Sequence, residues 1–345
     1  MACKILTSLG MIFSLFVNAQ SKPKCLTDRQ QVMELLKKYN VPAVGIGVID
    51  KGALVEVSVY GESKEDSPAP YNTIFDVASL TKSIVTMTTL QLVENGDWNL
   101  DESLSNFWID PDIKDNPSHE KITTRLALSH QCGFNNWRWM NDSKKLEFLS
   151  EPGTKFRYSG EGFEYIRKAL ENKFKMSIQH LSDSLLFTPL KMKDTRHSWG
   201  ANTDETRFAV GHDSLKNSYD IPRKNLPNGA DNLLTTIGDF GIFGVHMLKK
   251  LNEENSIYQE MIQPQTTVRD NITIGLSWFV FNDLTNGEYA LYNAGGDLGT
   301  HTVMILLPKS QRGIIIFTNG DKGYLLYKEL IPILLDIGIE ITNRI

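Results

Sequence analysis

The chain changes its hydrophobic rhythm three times. Near the start, Val32, Leu35 and Leu36 fall on one face of a helical repeat over residues 26–39, and Asn40 can end that run. Residues 41–49 are then short, β-branched and apolar. Asp50-Lys51-Gly52 reads as a turn, and residues 54–60 alternate, so this part predicts a hairpin. Residues 61–70, with Pro68 and Pro70, read as a loop. From about residue 79 to 260 the pattern is helical and broken by long polar connections. Helices are expected near 79–95, 123–130, 143–150, 160–173, 177–187 and 235–251. The first of these is an amphipathic run, Ile84, Val85, Thr88 and Leu92, that opens at Ser79 and stops at Asn95-Gly96. Residues 195–233 are dense in Gly, Asn, Asp and Pro and read as irregular surface or active-site loop. Strand character returns over 272–281, 289–293, 300–307 and 313–318, with a turn at 308–311 and a closing amphipathic helix over 323–337. Strands at both ends and helices between them predict one sheet built from both termini, with a helical lobe inserted.

Bulk properties narrow the class. A chain of 345 residues suits one large domain or two intimate lobes, and 41% hydrophobic with 22% charged residues is ordinary for a soluble globular protein. No Lys/Arg cluster suggests nucleic acid, and no later apolar stretch is long enough for a membrane span. Lys4, the apolar core from Ile5 to Val17 and the small-residue site Val17-Asn18-Ala19 read as a secretory signal over residues 1–19. Its removal takes away one lysine and no acid, moving the formal charge from −5 to −6. The expectation is an exported protein, periplasmic or secreted. Its single domain covers 26–340, with one lobe from 26–78 and 265–340 and a mainly helical lobe from 79–264. Cys3 lies too early to carry a lipid. Cys25 and Cys132 are read as unpaired thiols rather than metal ligands, so neither metal nor cofactor is expected.

Candidate chemistry begins at Ser79-Leu80-Thr81-Lys82. Residues three apart share a helix face, so the Lys82 amine can reach the Ser79 oxygen, and serine needs such an adjacent base to become a nucleophile. The spacing also occurs at Ser21…Lys24, beside Pro23 and the cleavage site, and at Ser118…Lys121, in a polar loop. Taken alone, Ser79 is open to two readings: a helix cap beside a solvated lysine, or a nucleophile beside its base. A second element, Glu151-Pro152-Gly153 followed by Tyr158-Ser159-Gly160, places a phenol before a helix. A phenol near an ammonium can serve as a base, although a packed tyrosine is the commoner use. A third, Asn293-Ala294-Gly295-Gly296-Asp297, joins two strands. Its glycines either let a carbonyl approach the backbone or simply form a hairpin loop.

In their order the three elements resemble the β-lactamase-related serine hydrolases, which include class C β-lactamases, penicillin-binding D,D-peptidases, D-aminopeptidases and β-lactamase-like esterases. Leu126-Ala127-Leu128-Ser129-His130-Gln131-Cys132-Gly133, Thr188-Pro189-Leu190-Lys191-Met192 and the run Asn232 to Phe240 are similar to further family landmarks. The resemblance spans roughly residues 30 to 335. It implies an α+β fold, an antiparallel sheet flanked by helices plus an all-helical lobe, with the site between them. It also implies Ser79 as acylated nucleophile, Lys82 as its proton acceptor or relay, Tyr158 as acid/base, and the N–H groups of Ser79 and Gly296 as oxyanion hole. Asn293 and Gly295 would contact a small-molecule or peptide substrate.

Two positions depart from the family pattern. Gly160 stands where the family has an asparagine, and Asn293 where it has a cation. A cation there would attract a substrate carboxylate, so efficient β-lactam turnover is not expected, and a neutral ester or differently anchored amide fits better. His301 could partly replace the lost group or be an ordinary strand histidine. The reading that follows is an exported serine hydrolase of esterase or peptidase type. Its alternative is a non-catalytic or weakly catalytic penicillin-binding-like protein that binds cell-wall fragments. A Ser-His-Asp hydrolase fits poorly without a Gly-x-Ser-x-Gly elbow. His119-Glu120 lacks the second histidine of a zinc site, and no phosphate-binding glycine loop occurs.

Overall fold

A computed structural model describes residues 28–345. The signal reading, Cys25 and the Ser21…Lys24 pair lie outside the described residues. The first helix, α1 (Arg29–Tyr39), buries Val32, Leu35 and Leu36, and Asn40 ends it in the left-handed conformation. The hairpin follows as β1 (Ala43–Asp50) and β2 (Ala53–Lys64). Here the prediction of a loop from residue 61 is corrected. β2 continues to Lys64 and pairs with a short β3 (Ser67–Pro68), so Pro68 sits on an edge strand, where a missing N–H costs nothing.

The middle of the chain holds β4 (Phe75–Asp76), α2 (Thr81–Glu94), α3 (Thr124–Leu128), α4 (Gly160–Phe174), α5 (Ile178–Ser182), α6 (Thr188–Leu190), β5 (Leu234–Thr235) and α7 (Ile237–Leu251). The return to strands gives β6 (Thr266–Arg269), β7 (Ile272–Ile274), β8 (Phe279–Leu284), β9 (Glu288–Asp297), β10 (Thr300–Leu307) and β11 (Arg312–Thr318). Helices α8 (Gly323–Leu334) and α9 (Gly338–Thr342) close the chain.

Nine of the strands form one antiparallel sheet in the order β3-β2-β1-β11-β10-β9-β8-β7-β6, which puts the N-terminal hairpin beside the last strand. The central strands are apolar on both faces. Ile314 and Ile316 of β11, with Val303 and Ile305 of β10, pack toward α1, α8 and α9. Their neighbours Ile315, Phe317, Met304 and Leu306 pack toward α2 and α7. This double burial explains why these strands read as continuous apolar runs.

Three further expectations change. Helix α2 is not amphipathic but buried on nearly every side. Its hydroxyls tolerate this because Ser83, Thr86 and Thr89 donate back to the carbonyls of Leu80, Lys82 and Val85, and Thr88 meets Ser182 at 2.9 Å. Residues 143–150 form no helix. Lys144 turns left-handed (φ 57°), Asn141 caps the Lys145 carbonyl at 2.7 Å, and the Leu146 N–H goes to Asp112 at 2.9 Å. The strand expected over 272–281 breaks at Gly275–Trp278, where Ser277 has φ 73°, and β6 was not foreseen.

Candidate active site

Ser79 sits where β4 turns into α2. Ala78, one residue earlier, holds φ 46°, a left-handed conformation that costs a residue with a Cβ roughly 1–2 kcal/mol. The surroundings fix it. Asp76 Oδ1 accepts from the Ala78 N–H at 2.8 Å, Thr302 Oγ1 donates to the Val77 carbonyl at 2.9 Å, and Thr81 Oγ1 donates to the Ala78 carbonyl at 2.6 Å. A strained residue held by three hydrogen bonds delivers the serine hydroxyl to the mouth of the following helix in one orientation.

Lys82 lies one turn on and is 1% exposed. Its Nζ donates to Ser79 Oγ at 2.8 Å and to the Ala230 carbonyl at 2.9 Å. The ring of Tyr158 is 5.0 Å away and that of Phe163 5.7 Å. The sequence left open whether Lys82 is solvated; it is buried and points at the serine. The competing pair behaves differently. Ser118 Oγ reaches Glu151 Oε2 at 3.0 Å, and Lys121 is bound to the same carboxylate, so that pair is a surface ion contact.

Tyr158 lies against His130, ring centroids 4.4 Å apart. His130 Nδ1 accepts from the Ser159 N–H at 3.1 Å, which leaves its proton on Nε2. Burial, and then the Lys82 charge, push its pKa down to about 3. His130 is therefore a neutral post that holds Tyr158 and the start of α4. Ser159 caps that helix by accepting from the Gly162 N–H at 3.1 Å.

The two departures have physical counterparts. A Cβ at Gly160 would come within 2.8 Å of the Trp137 indole, so tryptophan fills the space that an asparagine side chain would need. The Gly160 N–H donates instead to Asn136 Oδ1 at 2.8 Å. Asn293 is buried and its amide donates to the Ser277 carbonyl at 3.3 Å. A Cβ at Gly295 would lie 2.3 Å from the Val77 carbonyl and 2.9 Å from the Ser79 nitrogen, so only glycine lets β9 approach the nucleophile this closely. Gly296 is exposed beside it and pairs with His301. The His301 ring packs toward Tyr324 of α8 at 5.4 Å, behind the strand rather than in the cleft.

Ser79, Gly296, Trp137 and Trp139 line one cleft of about 470 Å³ together with Lys224 and Asp231. Lys224 was missed from sequence. It belongs to the loop over 195–233, whose irregularity signals a functional loop but not which residue serves it. Its ammonium sits between Asp231 (3.2 Å) and Asp297 (3.3 Å). Burial and the nearby Asp231 push the Asp76 carboxyl up to about 7. A larger cavity of about 580 Å³, around Gln179 and Arg196, contains neither Ser79 nor Lys82. Among the described residues no His/Cys/Asp/Glu group is arranged to hold a metal ion, and no helix is long and apolar enough to cross a membrane.

Comparison with known proteins bears on the fold and the family. The Beta-lactamase family model matches residues 29–335. Protein flp of Staphylococcus aureus (strain MW2) is 25% identical over 320 residues, which cover 84% of this chain and 62% of that protein. Penicillin-binding protein 4* of Bacillus subtilis (strain 168) is 23% identical over 300 residues, covering 76% and 64%. The chain thus spans less than two thirds of the length of these curated relatives. Among solved structures, the octameric penicillin-binding protein homologue from Pyrococcus abyssi superposes with TM-score 0.74 at 19% identity, covering 89% of this chain and 78% of that one. A class C β-lactamase superposes with TM-score 0.73 at 18% identity, covering 89% and 96%. The fold is the β-lactamase/transpeptidase-like one.

Proposed function

The chain belongs to the β-lactamase family, and from that membership and the site geometry we propose that it is a serine hydrolase that forms an acyl-enzyme at Ser79 on an ester or amide. The observation that carries this reading is the 2.8 Å hydrogen bond between a buried Lys82 amine and the Ser79 hydroxyl. Acting as the base, Lys82 takes the serine proton as Oγ attacks the carbonyl carbon. The carbonyl oxygen becomes an oxyanion that receives the N–H groups of Ser79 and Gly296. This is supported at β9, because β8 pairs only as far as Tyr292. Residues 293–297 have β10 as their one strand neighbour among the described residues, leaving backbone groups on the other edge for substrate. As the tetrahedral intermediate collapses, the bond to the leaving group breaks, and Tyr158, recharged through Lys82, protonates that group. Water then attacks the acyl-enzyme, giving up its proton to the same pair; the bond between the acyl carbon and Ser79 Oγ breaks, the pair returns a proton to Oγ, and the acid is released.

The experiment is intact-mass spectrometry of the protein after exposure to a fluorophosphonate, a fluorescent penicillin and a short activated ester, alongside Ser79→Ala. A mass adduct on the wild type alone is expected, with the ester or fluorophosphonate faster than the penicillin. Adducts that persist in Ser79→Ala remove Ser79 from the role. The rival reading, a penicillin-binding-like protein that holds cell-wall fragments without turnover, is favoured by the indole that fills the Gly160 site. It would show ligand binding with no adduct from any reagent. We also propose export through the 1–19 segment, checked by N-terminal sequencing of the secreted protein.

A further inference from the structure

The cleft beside Ser79 is lined by charges of both signs. Lys224 is its solvent-facing cation, and it faces two carboxylates, Asp231 at 3.2 Å and Asp297 at 3.3 Å. Lys82 makes no direct contact with an incoming group, since it is 1% exposed and donates to Ser79 and the Ala230 carbonyl. Among the side chains that line the cleft, two carboxylates face one lysine, and that lysine is already bonded to both. A substrate carboxylate would share that lysine with two carboxylates that repel it.

Two further observations point to a donor as the missing partner. Asn232 lines the same cleft, is 9% exposed, and its Oδ1 has no hydrogen-bond partner among the described residues; Oδ1 of Asp231 is likewise unpaired. Trp137 and Trp139 also line it, and Trp139 is 63% exposed at the mouth. Aromatic faces and carboxylates together form the environment that binds an ammonium group, through cation–π attraction on one side and charge-assisted hydrogen bonds on the other.

We propose that this cleft selects substrates carrying a protonated amine near the scissile ester or amide bond, held by Asp231 and Asp297 with the tryptophans beside it. The proposal rests on the acyl-enzyme reading of Ser79 for its catalytic half. Asp297 is the residue to change, because its side chain is 45% exposed and its loss leaves the core untouched.

The test uses three p-nitroanilides matched in length, those of γ-aminobutyrate, pentanoate and succinate. Binding of each to Ser79→Ala is followed by tryptophan fluorescence, and turnover by wild type is followed by nitroaniline release. The aminobutyrate compound is expected to bind roughly tenfold or more tighter than the succinate compound. Asp297→Asn, placed in the Ser79→Ala background, should bring the two closer by a comparable factor. Equal binding, or tighter binding of the succinate compound, overturns the proposal whether or not the wild type turns anything over. Ammonium-selective binding in a protein that forms no Ser79-dependent adduct with the fluorophosphonate or the activated ester would sustain the proposal and sink the acyl-enzyme reading instead, so the two failures are told apart.

Discussion

At the scale of single residues, the site depends on which contacts a side chain makes through its ring or stem and which through its polar end. Tyr158 separates the two. Its ring carries the packing on His130 and faces Lys82, while its hydroxyl would carry the proton. Tyr158→Phe is therefore expected to keep the melting temperature within a few degrees and to lower kcat by about 10²–10⁴, the range for loss of a positioned acid or base. A phenylalanine variant with wild-type turnover would exclude the phenol from the chemistry. The serine–lysine pair was legible in sequence because its chemistry fits within one helical turn. Lys224 was not, because it reaches the cleft from a loop without periodicity and is held there by Asp297, 73 residues further on. Spacing arguments see only partners on the same element.

At the scale of elements, the start of α4 is shaped by Trp137. The missing amide at Gly160 is legible as a departure in sequence, but the reason for it is not: the indole arrives from a different segment and leaves no room for a Cβ. Gly160→Asn must displace that ring, and overpacking of this kind costs about 1–3 kcal/mol. In Gly160→Asn with Trp137→Ala the space is vacated, so the double variant should be more stable than the sum of the two single losses predicts, by ~1 kcal/mol or more. Urea unfolding of the four proteins measures this coupling. A Gly160→Asn protein as stable as wild type would show that Trp137 moves without cost and does not shape the helix start. The same scale explains the false helix over 143–150. Its apolar spacing is real, but Leu146 enters the core from a turn whose backbone is bonded to Asn141 and Asp112. Those two partners offer the chain an alternative to helical bonds.

At the scale of the whole molecule, a sheet built from both termini was legible because both chain ends carry long apolar strands and the middle carries none of comparable length. The interior also encloses titratable groups in dry surroundings, and their combined titration sets how stability varies with pH. Burial pushes His130 and His197 from 6.5 down to about 3 each. Between those values the unfolded chain binds protons that the folded one refuses, so stability falls as pH drops below about 6.5. Asp76 acts in the opposite sense. Burial and Asp231 raise it from 3.8 to about 7, so between about pH 4 and 7 the folded chain keeps a proton that the unfolded one has lost, and stability falls as pH rises. Each proton difference is worth ~1.4 kcal/mol per pH unit. The two histidines outnumber the one aspartate, and the net expectation is a protein that weakens on acidification from pH 6.5 to 4.5. Asp76→Asn removes the opposing aspartate but keeps an oxygen to accept the Ala78 N–H. Its stability should therefore fall more steeply than that of the wild type across this window, with the gap between the two proteins changing by ~1–3 kcal/mol. Urea midpoints of both proteins at pH 4.5, 5.5 and 6.5 measure it. Parallel curves would mean that Asp76 titrates alike in the folded and unfolded chains. The carboxyl beneath the nucleophile would then be ionised at neutral pH, a third negative charge beside Lys224.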